Sequence, residues 1–129
     1  MKASVRILAV EDETAVAQLL ALVLCGPACT VTTAGDGVEA LEKIATAPRP
    51  FDVIITDHSM PLMTGLELVA QLRGRGFDGK IAVLSAHLNE DNIQAYEALH
   101  VDLLLSKPFD IEELRHAVEV LSKPDSIAA

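Results

Sequence analysis

Positive charge is scarce in this chain. Ten Lys and Arg stand against nineteen Asp and Glu, a formal net charge of -9 over 129 residues. Affinity for a phosphate backbone rests largely on Lys and Arg displacing counterions, so DNA and RNA are not expected as partners. Long apolar runs are missing as well. The longest, Leu19 to Cys25, is too short to span a bilayer. The stretch Val5 to Val10 runs straight into Glu11-Asp12-Glu13 and is too short for the apolar part of a secretory signal. A cytoplasmic location and no membrane partner are the expectations that follow. Cysteine is limited to Cys25 and Cys29, on either side of Gly26-Pro27-Ala28, and His58, His87, His100 and His116 are scattered singly. Nothing there has the ligand spacing of a zinc site, so the two cysteines read as ordinary thiols in a helix-to-strand turn. Repeats, low-complexity segments and linkers are also absent, and the length is that of one ordinary domain with no room for a second.

What is present is an alternation. Apolar runs of strand length occur at Val5 to Val10, Cys29 to Thr33, Val53 to Thr56, Ile81 to Leu84 and Val101 to Leu105. Segments of helical period separate them. The first helix places Val16, Leu19, Leu20 and Val23 on one stripe, and the last places Ile111, Leu114, Val118 and Leu121 likewise. Asp36 and Asp110 each precede a Glu by three positions, Glu39 and Glu113, which marks helix starts. Near-continuous apolar strands alternating with helices predict an α/β domain whose mostly parallel sheet is covered on both faces. Residues 1–122 form that domain in this reading, and 123–129 form a short frayed tail.

In such sheets ligands bind beyond the carboxyl ends of the strands, where strand order reverses. The residues that follow the strands are Glu11-Asp12-Glu13 after the first, Asp57 after the third, Ser85-Ala86-His87 after the fourth and Ser106-Lys107-Pro108 after the fifth. Two like charges about 4 Å apart repel by about 4 kcal/mol at an effective dielectric near 20, so gathered acids need a cation. Carboxylates without His or Cys partners favour magnesium. Asp57 would then serve as ligand and as nucleophile, since a carboxylate can attack phosphorus when a metal and a lysine, here Lys107, offset the charge of the transferring group. The acids Glu11, Asp12 and Glu13 also suit the positive end of the first helix, and Gly65 suits a turn. His58 is next to Asp57, but neighbouring strand residues point opposite ways, which argues against a general-base role.

The segments "ILAVEDE" at Ile7 to Glu13, "DVIITDHSMPLMTGLEL" at Asp52 to Leu68, "VLSA" at Val83 to Ala86 and "LSKPF" at Leu105 to Phe109 together resemble the receiver domains of two-component signalling, over nearly the whole chain. The resemblance implies a flavodoxin-like fold with five parallel strands in the order 2-1-3-4-5. It makes Asp57 the phosphorylation site and Glu11 with Asp12 the acidic pair. Asp12, Asp57 and the backbone carbonyl of Ser59 would bind Mg2+ directly, while Glu11 acts mainly through water. Ser85 corresponds to the hydroxyl residue that swings toward the phosphoryl group and Lys107 to the lysine that pairs with it, with a bond to Pro108 that is usually cis. Ser59 and His87 occupy the positions that tune phosphate lifetime; His87 could position or obstruct the attacking water. The family often carries Tyr or Phe three residues before the lysine, and this chain has Leu104, so the aromatic half of the usual switch is missing.

The resemblance also implies partners. The outer face of the first helix, Thr14, Gln18, Ala21, Leu22 and Cys25, carries no charge and borders Asp57, which suits docking of a histidine kinase or histidine phosphotransfer protein. Output to an unidentified downstream protein would use the fourth helix, Asn89 to Leu99, with the fifth strand and helix, from a monomer or weak dimer. The chain would catalyse only its own phosphorylation and dephosphorylation. Two readings compete: a degenerate receiver that binds partners without phosphate, and a metal-dependent phosphohydrolase, which would need a further acid where Ser59 stands. The initial Met directly before the first strand favours a stand-alone protein over a piece of a hybrid kinase.

Overall fold

The computed structural model describes residues 5–24 and 29–122. Strands β1 (Val5–Val10), β2 (Cys29–Ala34), β3 (Val53–Asp57), β4 (Lys80–Ser85) and β5 (Leu103–Ser106) alternate with helices α1 (Thr14–Val23), α2 (Gly37–Thr46), α3 (Gly65–Gly74), α4 (Glu90–Ala98) and α5 (Ile111–Ser122). The strands form one parallel sheet in the order β2-β1-β3-β4-β5. This is the expected flavodoxin-like arrangement, and order reverses between β1 and β3.

Alternation along each strand divides the core in two. Leu8, Val10, Ile54, Ile81 and Val83 face one side with Ala40 of α2, Leu68, Val69 and Leu72 of α3 and Tyr96 of α4. Ile7, Ala9, Val53, Ile55, Ala82 and Leu84 face the other with Leu20 of α1 and Leu114 and Val118 of α5. Each such aliphatic side chain contributes about 1.5–3 kcal/mol when fully buried, which is why the interior of the central strands β1, β3 and β4 is mostly aliphatic while the edge strand β2 carries Thr30, Thr32 and Thr33.

Caps fix where the helices begin, and so where the loops at the carboxyl edge end. Asp36 accepts from the Glu39 amide at 2.8 Å, while Glu39 reaches back to the Gly35 amide at 2.5 Å. Asp110 accepts from the amides of Glu112 and Glu113 at 2.7 and 3.4 Å. A complete capping box joins Thr64 and Glu67 at the start of α3. At the other end of α3, Arg73 donates to the carbonyls of Phe77, Gly79, Leu99 and His100 at 2.8–3.0 Å. One guanidinium thereby ties two loops together.

Three expectations need correction. The buried residues of α1 are Ala17 and Leu20, followed by Leu24, and Leu19 is 42% exposed. The stripe centred on Leu20 leaves Leu19 about 100° round the helix, outside the contact with the sheet. The fifth strand starts at Leu103, because Asp102 uses its carboxylate to accept from the Ile81 amide at 2.9 Å. Cys29 is disulfide-bonded, not an ordinary thiol; a disulfide depends on the approach of two sulfurs in space, which residue spacing does not encode. The chain's other cysteine, Cys25, and the expected tail 123–129 lie outside the described residues.

Candidate active site

Strand register explains how distant residues meet. Val10 pairs with Thr56, which brings Glu11 beside Asp57; Asp57 pairs with Leu84, and Ser85 pairs with Ser106, one residue before Lys107. The predicted acids and lysine converge as a result. Carboxylate oxygens of Glu11, Asp12 and Asp57 lie within 4.8 Å of one another. The Lys107 Nζ lies 3.1 Å from Asp57 Oδ2 and 3.4 Å from Glu11 Oε1. Glu11 and Asp57 are buried, at 1% and 6% exposure, whereas Asp12 is exposed.

The charges interact strongly here because little water screens them. Burial raises the Glu11 carboxyl above its usual range; the Glu13 amide, which donates to Glu11 Oε2 at 3.2 Å, opposes that, Asp57 adds to it, and Lys107 opposes it. Burial by itself would lower Lys107, but its hydrogen bond to Asp57 and the charges of Asp57 and Glu11 prevail and hold it above its usual value. The signs follow from linkage. The Lys107 pairs contribute stability at neutral pH that is lost as pH rises through the raised lysine value, whereas the cost of ionised Glu11 is relieved as pH falls through its own raised value.

The donor set fits a hard divalent cation. It offers carboxylate oxygens and no sulfur or imidazole, and one exposed acid, Asp12, lies beside two buried ones. Lys107 offsets only part of the negative charge of three carboxylates, so a dication suits the cluster electrostatically.

Other expected residues are positioned differently. The Ser85 hydroxyl donates to the His87 carbonyl at 2.9 Å and accepts from the His87 amide at 3.2 Å, so it is engaged within its own loop. His87 and Ser59 are exposed at the rim, and Leu104 is half-buried against the cluster that contains Tyr96. The Lys107–Pro108 bond is cis. Gly65 has a packing role: a Cβ there would stand 2.5 Å from the Asp57 carbonyl oxygen. The outer-face residues Thr14, Gln18, Ala21 and Leu22 are all exposed, Leu22 at 79%.

One pair escaped the sequence reading. The His58 Nδ1 shares a 2.6 Å hydrogen bond with the Tyr96 hydroxyl, and the rings meet edge-on. Burial, and after it the charge of Asp57, raises the Tyr96 phenol far above its usual value, so it keeps its proton. The available signal was a single Tyr in a helix with few other apolar residues, and nothing in it pointed to a partner 38 positions away.

Residues 7–119 match the family model described as the response regulator receiver domain. The response regulator MprA of Mycobacterium tuberculosis is 41% identical over 128 residues, which cover 97% of this chain and 55% of that protein. The chain thus spans about half the length of that curated relative. Among solved structures, the chemotaxis protein CheY4 of Vibrio cholerae superposes with a TM-score of 0.82 at 34% identity, covering 92% of this chain and 99% of that one. The response regulator TrrA of Thermotoga maritima, in complex with Mg(2+)-BeF, gives 0.76 at 32% identity, covering 91% and 98%. With the sheet order, the acidic cluster and this agreement over nearly its full length, the chain belongs to the response regulator receiver domain family.

Proposed function

We propose that this receiver domain takes a phosphoryl group from a phosphohistidine donor onto Asp57 and thereby switches its protein contacts. The observation that carries the reading is the Lys107 ammonium, 3.1 Å from the Asp57 carboxylate within a cluster of two further acids. An Asp57 carboxylate oxygen forms the new bond to phosphorus as the P–N bond of the donor breaks, and the imidazole leaves with that electron pair. Asp12, Asp57 and the Ser59 carbonyl would hold Mg2+, with Glu11 contributing through water, and the ion would supply charge neutralisation at the phosphoryl oxygens. Lys107 neutralises a further oxygen. Ser85 completes the switch by exchanging its bond to His87 for one to the phosphoryl group, and Ser59 and His87 at the rim govern access of water. The setting is cytoplasmic, and among the described residues no helix is long and apolar enough to cross a membrane.

Cation binding stabilises a folded protein by mass action, by about 1.4 kcal/mol at ten times the dissociation constant. A rise in melting temperature of about 5 °C is expected at that magnesium concentration. Asp12→Ala removes most of it. An equal rise in that variant, read by thermal melts with and without chelator, contradicts the metal assignment.

The donor is a histidine kinase or histidine phosphotransfer protein that docks on α1. Thr14, Gln18, Ala21 and Leu22 present an uncharged surface, and the exposure of Leu19 makes it more apolar than the sequence suggested. Ala21→Glu inserts a desolvated charge into that contact. Phosphotransfer from the donor is expected to slow by at least about tenfold, a loss of about 1.4 kcal/mol, while self-phosphorylation from acetyl phosphate is unchanged. An unaltered transfer rate rules the surface out.

A further inference from the structure

We propose that the Tyr96 hydroxyl and the His58 imidazole form a latch that couples the chemical state of Asp57 to the position of α4. Tyr96 is the one buried residue of α4 and is fully enclosed. Leu88 and Leu99, on either side of the helix, are only partly buried against the same cluster, so Tyr96 is its deepest anchor and what that side chain touches bears most directly on the helix position. The tip of Tyr96 touches the residue directly after the phosphoacceptor, through the 2.6 Å bond to His58 Nδ1. Asn92, one turn earlier on α4, brings its Nδ2 within 3.5 Å of His58 Nε2. The helix therefore faces both nitrogens of one ring.

The other end of the latch is fixed to the site. The His58 amide donates to the Leu84 carbonyl at 2.9 Å, and its carbonyl accepts from the Gly65 amide at 2.8 Å. A Cβ on Gly65 would lie 2.5 Å from the Asp57 carbonyl oxygen and 3.0 Å from the Tyr96 oxygen. Asp57, His58, the start of α3 and the Tyr96 hydroxyl thus meet with no slack between them. Any displacement of 57–59 when Asp57 is modified must either carry the imidazole and α4 along or leave a buried hydroxyl without a partner, which is costly. That difference between the two states is the coupling, and by linkage a partner that holds α4 alters the reactivity of Asp57 in return. Tyr96 and His58 are positioning residues in this scheme. They touch no phosphoryl group.

The inference rests on Asp57 being the phosphoacceptor, and the experiment separates the two claims. Hydrogen exchange in segment 89–99 is followed in the full chain with and without magnesium and beryllium fluoride, and adduct formation with acetyl phosphate is measured alongside. In the wild type, exchange in this segment is expected to change by about tenfold between the states, within the usual range of allosteric coupling. Tyr96→Phe and His58→Ala each reduce the change to less than about twofold, and the double variant reduces it no further, as for two ends of one interaction. Both variants still form the adduct. A merely structural role would raise exchange in both states and leave their ratio intact. A ratio preserved in either variant, or absent from the wild type, overturns the latch. Failure of the wild type to form an adduct overturns the phosphoacceptor assignment instead. Should Tyr96→Phe fail to fold, His58→Ala decides alone, since it removes the same bond from the loop side.

Discussion

Asp57→Asn is expected to abolish phosphoryl transfer to this protein completely. The change keeps the shape of the side chain and replaces a charged oxygen by an amide nitrogen, which is no nucleophile at neutral pH. Lys107 retains Glu11 at 3.4 Å, so its ammonium stays in place and the fold survives. Asp57 is also the acid at which the charges of Glu11 and Lys107 converge. Its neutralisation therefore weakens magnesium binding as well as removing the reactive oxygen. Intact-mass measurement after incubation with acetyl phosphate and magnesium provides the check. An adduct of undiminished yield in the variant would place the chemistry on another residue.

Arg73→Ala is expected to cost about 2–4 kcal/mol of stability. Four carbonyls at 2.8–3.0 Å accept from this guanidinium, and Asp102 lies 3.9 Å away. Hydrogen bonds to charged groups contribute about 1.5–3 kcal/mol each when considered singly, and water recovers part of the loss at half-exposed carbonyls. The remainder is a large share of the roughly 5–15 kcal/mol that holds a domain together. Arg73→Lys should recover little, because an ammonium is a point donor and cannot bridge carbonyls from both loops. Urea unfolding reports the difference as a fall in midpoint with an unchanged slope. A loss of less than about 1 kcal/mol would mean that the loops hold their shape independently. One loop leads into β4 and the other into β5, so their loosening would also blur the placement of Ser85 and Lys107 at the far ends of those strands.

The contrast between these two residues shows what a sequence carries. Asp57 was legible because it ends an apolar run, and because strand periodicity assigns the acids and Lys107 to one edge of the sheet. Parallel register then brings them together without further information. Caps at Asp36 and Asp110 were legible for a similar reason, since the bond spans three residues. Arg73 was not legible: its acceptors are backbone carbonyls, which every residue has, and two of them lie 26 and 27 positions away. The Tyr96–His58 bond fails the same test of distance. Leu19 shows the limit of helical periodicity, because the pattern allowed a stripe one residue wider than the sheet contact covers. The disulfide at Cys29 is a further case in which chemistry depends on proximity in space.

Function in this family depends on crowding acids that would repel if left alone. Glu11 illustrates the tension, being almost fully buried and raised by that burial. Lys107 relieves part of it. The wild-type chain incubated with acetyl phosphate, with magnesium or with excess chelator, tests this most directly by intact mass. One acid-stable, hydroxylamine-labile phosphoryl adduct that forms with magnesium and disappears with chelator is the predicted result. An adduct of equal yield under both conditions, or none under either, would contradict it.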